Sequence, residues 1–157
     1  MVLYLASNTR TDIYFAVNQC ALFTHKSKSS LETAVRRIFR YLQGNKDNGL
    51  VFNPTKKLVV DCYADADFAT IWGHENPQYP IFDRSRTGFV VTFANCPLLW
   101  VSKLQIEIAL STLNSDYLAL SHSIRALLPL KIIIKEVIDN LGIDSGNMKF
   151  VSSSNIY

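Results

Sequence analysis

Apolar residues recur at helical spacing along the first third of the chain. After a turn-forming Asn8-Thr9-Arg10-Thr11, the residues Ile13, Ala16, Val17, Cys20, Ala21 and Phe23 predict a short helix over Asp12 to Phe23. A second helix is predicted from Leu31, Ala34, Val35, Ile38 and Leu42, with Ser29 or Ser30 as N-cap and Gly44 near its stop. Asn53-Pro54-Thr55-Lys56-Lys57 reads as a connector, and beyond it the period changes to two. Leu58 to Asp65 predicts a strand, Thr70 to Arg86 a long loop, and Gly88–Ala94 with Leu98–Ser102 a hairpin turning at Asn95-Cys96-Pro97. Ser111 or Thr112 then caps a long helix to about Asn140. Leu113, Tyr117, Leu120, Ile124, Leu127 and Leu128 form its expected buried stripe, and a kink or break is expected at Pro129. A last strand begins at Met148-Lys149-Phe150-Val151. The order helix, helix, βββαβ describes an α/β chain in α+β order, with a helical segment over 1–55 and a mixed sheet over 56–157.

Composition narrows the class. Of 157 residues, 48% are hydrophobic and 18% charged, far from the polar, highly charged make-up of disordered chains. The most apolar stretch, Ala126 to Ile138, is interrupted by Pro129, Lys131 and Lys135, so no bilayer span and no membrane partner is expected. Met1 to Asn8 has no basic residue and too short an apolar run for a signal peptide, which makes a cytoplasmic or nuclear location the expectation. Cys20, Cys62 and Cys96 are odd in number and widely spaced, so they read as reduced core residues rather than a disulfide framework or zinc site.

Charge is uneven. Residues 1–55 hold seven basic side chains against three acids, a balance of +4, whereas the rest holds nine against ten, a balance of −1. A basic leading segment suits a polyanion, nucleic acid first, although an ordinary solvated surface has the same composition. Arg36, Arg37 and Arg40 lie opposite the Leu/Ile stripe of the second helix and could offer guanidinium groups to phosphate. Asp65 and Asp67, two apart at a strand's end, fall on one face, as a hard divalent cation requires; a turn-forming role is the plainer alternative. Asp116, expected in the first turn of the long helix, has the helix macrodipole as its plain alternative. Trp100, Lys103 and Gln105 follow one another at the third strand and could touch a nucleic-acid backbone, though a Trp in an apolar strand is ordinarily core. His25, His74 and His122 lack zinc-hydrolase spacing, and no nucleophile elbow or Gly-rich phosphate loop is present.

Several stretches in order carry a resemblance. Tyr63-Ala64-Asp65-Ala66-Asp67-Phe68-Ala69, Ser85-Arg86-Thr87-Gly88-Phe89-Val90, Trp100-Val101-Ser102-Lys103-Leu104-Gln105 and Ala109 through Ser121 resemble the ribonuclease H region of Ty1/copia-type retrotransposon polyproteins. Upstream, Thr9-Arg10-Thr11-Asp12-Ile13 and Ala34 through Gly44 are similar to the last part of the reverse transcriptase that precedes it. The resemblance implies two-metal cleavage of the RNA strand of an RNA–DNA hybrid, with Mg2+ held by carboxylates. Asp65 then stands at the first metal-binding aspartate, and Asp116 where the family has a glutamate. Asn114 replaces a companion acid, and Phe150 to Tyr157 resembles the segment leading into a third metal-binding acid that the sequence does not reach. The expectation is a fragment of a Pol polyprotein: a reverse-transcriptase-like piece over 1–55 and a C-terminally truncated ribonuclease H-like domain over 56–157. No polymerase activity is expected, and no nuclease activity alone. The alternatives are a non-catalytic nucleic-acid-binding module or an unselected reading frame of a decayed element.

Overall fold

The computed structural model describes residues 2–24, 29–55, 57–69, 84–143 and 149–154, the last by backbone alone. The chain divides into two units, Met1–Val51 and Phe52–Tyr157, each with its own core.

The first unit holds three helices: α1 (Val2–Asn8), α2 (Tyr14–Leu22) and α3 (Ser29–Gly44), with a 3-10 turn at Thr11–Ile13 leading into α2. Sequence periodicity predicted the second and third but not α1. Near its end Leu5 O accepts from the backbone N–H groups of Thr9 and Arg10 at 3.0 and 2.9 Å, while Ser7 Oγ donates back to Leu3 O at 2.9 Å and Asn8 Nδ2 to Tyr4 O at 2.7 Å. Ala6, Ile13, Val17 and Ile38 are buried together, and Leu42 packs against them from the expected stripe of α3.

The second unit is a four-stranded sheet in the order β3-β2-β1-β4, formed by β1 (Val59–Asp67), β2 (Arg86–Phe93), β3 (Cys96–Leu104) and β4 (Lys149–Ser154). β1–β2 and β2–β3 are antiparallel, and β4 lies parallel to β1, reached through α4 (Thr112–Asn140). The mixed βββαβ order is as expected; β1 runs two residues past its expected end and starts one later, β2 starts two residues earlier and ends one earlier, and β3 extends two residues at both ends. The hairpin turns one residue earlier than expected, at Ala94-Asn95, both at positive φ (50° and 67°), as a two-residue turn matching the strand twist requires. Pro97 therefore lies inside β3, where it is tolerated because β3 is an edge strand and the register shifts opposite it, between Val91 and Thr92. The expected loop over Thr70–Arg86 lies, from 70 to 83, outside the described residues.

One face of the sheet is the core. Val60, Cys62 and Ala64 of β1 and Phe89 and Val91 of β2 meet Ile134 and Ile138 of α4, with Leu99, Val101, Ala126, Leu127 and Leu130 around them. Burial raises the Cys62 thiol above its ordinary pKa, with a hydrogen bond to Ser123 opposing, which keeps it an unreactive core thiol.

Two expectations for α4 are corrected. The face against the sheet runs through Ser115, Ala119, Ser123, Ile134 and Ile138, whereas Leu113, Tyr117, Ile124 and Leu128 are exposed. Small residues let the helix approach the sheet closely. The serines are satisfied within their own turn, Ser115 Oγ donating to Thr112 O at 2.6 Å and Ser123 Oγ to Leu120 O at 2.8 Å. Nor does Pro129 break the helix. Its ring leaves the Arg125 carbonyl without its helical donor, and Pro129 sits on the exposed side, where water can serve that carbonyl. By length and composition alone α4 is apolar enough to cross a membrane, with mean hydropathy 1.4 over 18 residues, contrary to the reading that its interruptions excluded this. Here its small-residue face lies on the sheet.

Candidate functional site

Alternation along β1 sends Val60, Cys62 and Ala64 toward α4 and Asp61, Tyr63, Asp65 and Asp67 to the opposite, open face. Asp65 and Asp67 thus share a face, and because β1 continues to Asp67 both belong to the strand. Cross-strand register arranges the open face in rows. Tyr63, Val90 and Trp100 form one; Asp65, Gly88 and Ser102 form the next; Asp67, Arg86 and Leu104 the third. Tyr63 is half exposed and Trp100 half-buried, so this row is an apolar and aromatic strip bordering Asp65. Gly88 beside Asp65 carries no side chain, which leaves the carboxylate uncovered on that flank. On the other side the described part of β4 runs level with Ala64, its last paired residues being Ser152, Ser153 and Ser154.

Asp116 is placed differently. Ser111 caps α4, its hydroxyl accepting from Asn114 N at 3.1 Å, and the first turn, Thr112 to Ser115, contains no acid. Asp116 opens the second turn, which corrects the expectation of a first-turn acid. It rises from the helix that covers the core face, whereas Asp65 lies on the open one. Among the described residues no three His, Cys, Asp or Glu side chains gather as metal ligands.

The structure also separates Trp100 from Lys103 and Gln105. β3 extends to Leu104, so alternation puts Lys103 on the face opposite Trp100, and Gln105 folds inward. The Gln105 amide nitrogen donates to Thr87 Oγ1 at 3.0 Å and to Ser115 O at 2.9 Å, and its backbone N–H to Ser85 O at 2.9 Å. Gln105 therefore ties β2, the β3–α4 connection and the start of α4 together. Its partners Ser85 and Thr87 are buried, as is Arg86 between them on the other face of β2, and Ser85 Oγ accepts from Ala69 N at 3.3 Å. Arg86 reaches Ser102 O and Oγ at 3.4 Å; burial lowers its pKa while the charge of Asp67, its register partner, raises it. Sequence reasoning found these three residues only as part of a matching string. The available signal was a polar run entering a strand without turn residues.

In the first unit, Arg36, Arg37 and Arg40 are exposed on α3 as predicted by its stripe. Arg36 is forked onto Glu32 one turn earlier, at 3.1 and 2.7 Å, which neutralises it. Arg37 and Arg40 make no ion pair among the described residues. Sequence reasoning missed a latch beneath them: Arg10, 7% exposed, holds Asp12 with two bonds of 3.0 and 2.8 Å, donates to Asn45 O at 2.9 Å and lies over the Tyr41 ring at 5.7 Å. The hydrogen bonds from Arg10 hold the Asp12 carboxyl down to about 2, against burial. The Arg-x-Asp spacing was the signal.

The chain is 31% identical over 120 residues to the retrovirus-related Pol polyprotein from transposon RE1 of Arabidopsis thaliana, covering 76% of this chain and 8% of that protein. It is likewise 31% identical over 136 residues to the Pol polyprotein from transposon TNT 1-94 of Nicotiana tabacum, covering 87% of this chain and 10% of the relative. A protein of Plasmopara viticola named secreted RxLR effector protein 161 is 30% identical over 122 residues, covering 78% of this chain and 80% of its own length. No family model matches, and no solved structure matches significantly.

Proposed function

The chain belongs to the family of retrovirus-related Pol polyproteins of copia-type transposons, of which it spans about a tenth, and from that premise we propose that it carries two adjoining pieces of such a polyprotein. Residues 1–55 are the end of a reverse-transcriptase-like domain. Residues 56–157 are a ribonuclease H-like domain that binds an RNA–DNA hybrid across the open sheet face and does not cleave it unaided.

One observation carries the reading: Asp65 lies uncovered on the open face, flanked by Gly88 and bordered by the Tyr63–Val90–Trp100 row. An aromatic strip beside an exposed strand is a surface on which bases or sugars stack, and stacking contributes about 1–3 kcal/mol per base in single-stranded binders. On the first unit, taken by itself, the exposed Arg37 and Arg40 are suited to phosphate contacts.

The donor set among the described residues supports the non-cleaving clause. Magnesium asks for near-octahedral oxygen ligands. Asp65 stands on the open face of β1 and Asp116 on α4, Asn114 is neutral, and among the described residues no three His, Cys, Asp or Glu side chains gather as metal ligands. The described residues do not by themselves make a two-metal centre.

The test is a labelled RNA–DNA hybrid with magnesium. Binding that weakens as salt rises, with no cleavage and no change in product on Asp65→Asn, is the expected result. Cleavage abolished by Asp65→Asn overturns the non-cleaving clause, and binding indifferent to salt overturns the hybrid-binding one.

A further inference from the structure

Where β3 runs into the connection to α4, the core-face side of the sheet opens into a pocket of about 130 Å³. Lys103, Gln105, Ser121, His122 and Arg125 line it, with Glu107 also on its wall. Three observations set it apart. Lys103 and Arg125 converge on it, and neither makes an ion pair among the described residues, with Glu107 included. The Gln105 side chain is fixed by its two donated bonds, yet its Oε1 is buried with no hydrogen-bond partner. His122 Nδ1 is likewise buried and unpartnered, its ring held edge-on to Phe89 at 6.3 Å.

Buried polar atoms without partners are uncommon in native structures. Beside the histidine stand two cations that make no ion pair among the described residues. His122 is held below its ordinary pKa chiefly by burial and then by the charges of Lys103 and Arg125. A single anion that accepts hydrogen bonds from the cations and His122 and carries one O–H to give to Gln105 Oε1 relieves all of this at once. A guanidinium fork and an ammonium match phosphate oxygens, Ser121 and His122 add neutral donors, and Gln105 Oε1 accepts from a protonated phosphate oxygen or a neighbouring hydroxyl. A pocket of this volume has room for a phosphate group.

We propose that this pocket, lined by Lys103, Gln105, Ser121, His122 and Arg125, binds a phosphate group. It lies on the face opposite Asp65 and is independent of hybrid binding on the open face. The source is a small phosphate compound or the terminal phosphate of a polynucleotide.

The experiment titrates the full chain calorimetrically with inorganic phosphate, then with a short oligonucleotide carrying or lacking a 5′ phosphate. Phosphate is expected to bind at millimolar concentration, and the doubly substituted K103Q/R125Q to bind about tenfold or more weakly. A control pair removing equal charge elsewhere, K46Q/K57Q, is expected to leave phosphate binding unchanged, and thermal unfolding confirms that both variants fold. Tighter binding of the 5′-phosphorylated oligonucleotide assigns the source to a polynucleotide end; phosphate binding without that preference assigns it to a small compound. No phosphate binding, or an equal loss in K46Q/K57Q, overturns the proposal.

Discussion

Arg10 and Arg86 are both almost fully buried, and each stands in a different unit. Arg10 meets a carboxylate two residues away with two short bonds, and its pKa is raised, first by that hydrogen bond. Arg86 meets an oxygen pair at 3.4 Å, and its pKa is lowered, first by burial, with Asp67 across the strand pair opposing. A buried arginine depends on its compensation more than on its surroundings. In the first unit that compensation is local to the sequence. In the second it exists only once β1 and β2 have paired in register.

Substitutions can break or sharpen this contrast. The largest effect is expected from Asp67→Ala, which leaves Arg86 buried without its opposing charge. Since Asp67 is itself exposed, the loss is about 2 kcal/mol, read as a lower urea midpoint of the second unit. No change there would break the comparison. Gln105→Ala removes two side-chain bonds and is expected to cost about 1–2 kcal/mol in the same unit, with earlier exchange of the first-turn amides of α4. Asp12→Asn is expected to act on the first unit alone and mainly in acid. A carboxyl lowered from 3.8 to about 2 contributes stability above pH 4 that is lost as pH falls toward 2. The variant should flatten that acid limb, followed by NMR signals of Tyr14 and Tyr41. Arg36→Gln removes only an exposed one-turn pair and is expected to cost about 0.3–0.5 kcal/mol; a larger loss would show that α3 uses the pair for more than its own turn.

Much of the fold was legible where burial is one-sided. The Leu31 to Leu42 stripe and the alternation around Val60 and Phe89 each have one buried face, so period alone gives the element. α1 escaped because seven residues are too few to show a period and its polar tail reads as a turn. The buried face of α4 escaped because Ser115 and Ser123 count as polar, although each hydroxyl is consumed within its own turn. At the site, the shared face of Asp65 and Asp67 was readable from spacing. Its Gly88 flank, the separation of Trp100 from Lys103, and the convergence of Lys103 with Arg125 depend on register and strand length, which no local pattern encodes.

Pro129 has a consequence for motion rather than shape. α4 is one rod of 29 residues, but the missing donor at its middle divides its hydrogen-bond ladder in two. The first half is anchored where Gln105 holds the Ser115 carbonyl, the second where Ile134 and Ile138 sit in the core. Amide exchange should therefore report two blocks of protection with a fast seam between them, and opening of the helix starts from its centre as well as from its ends.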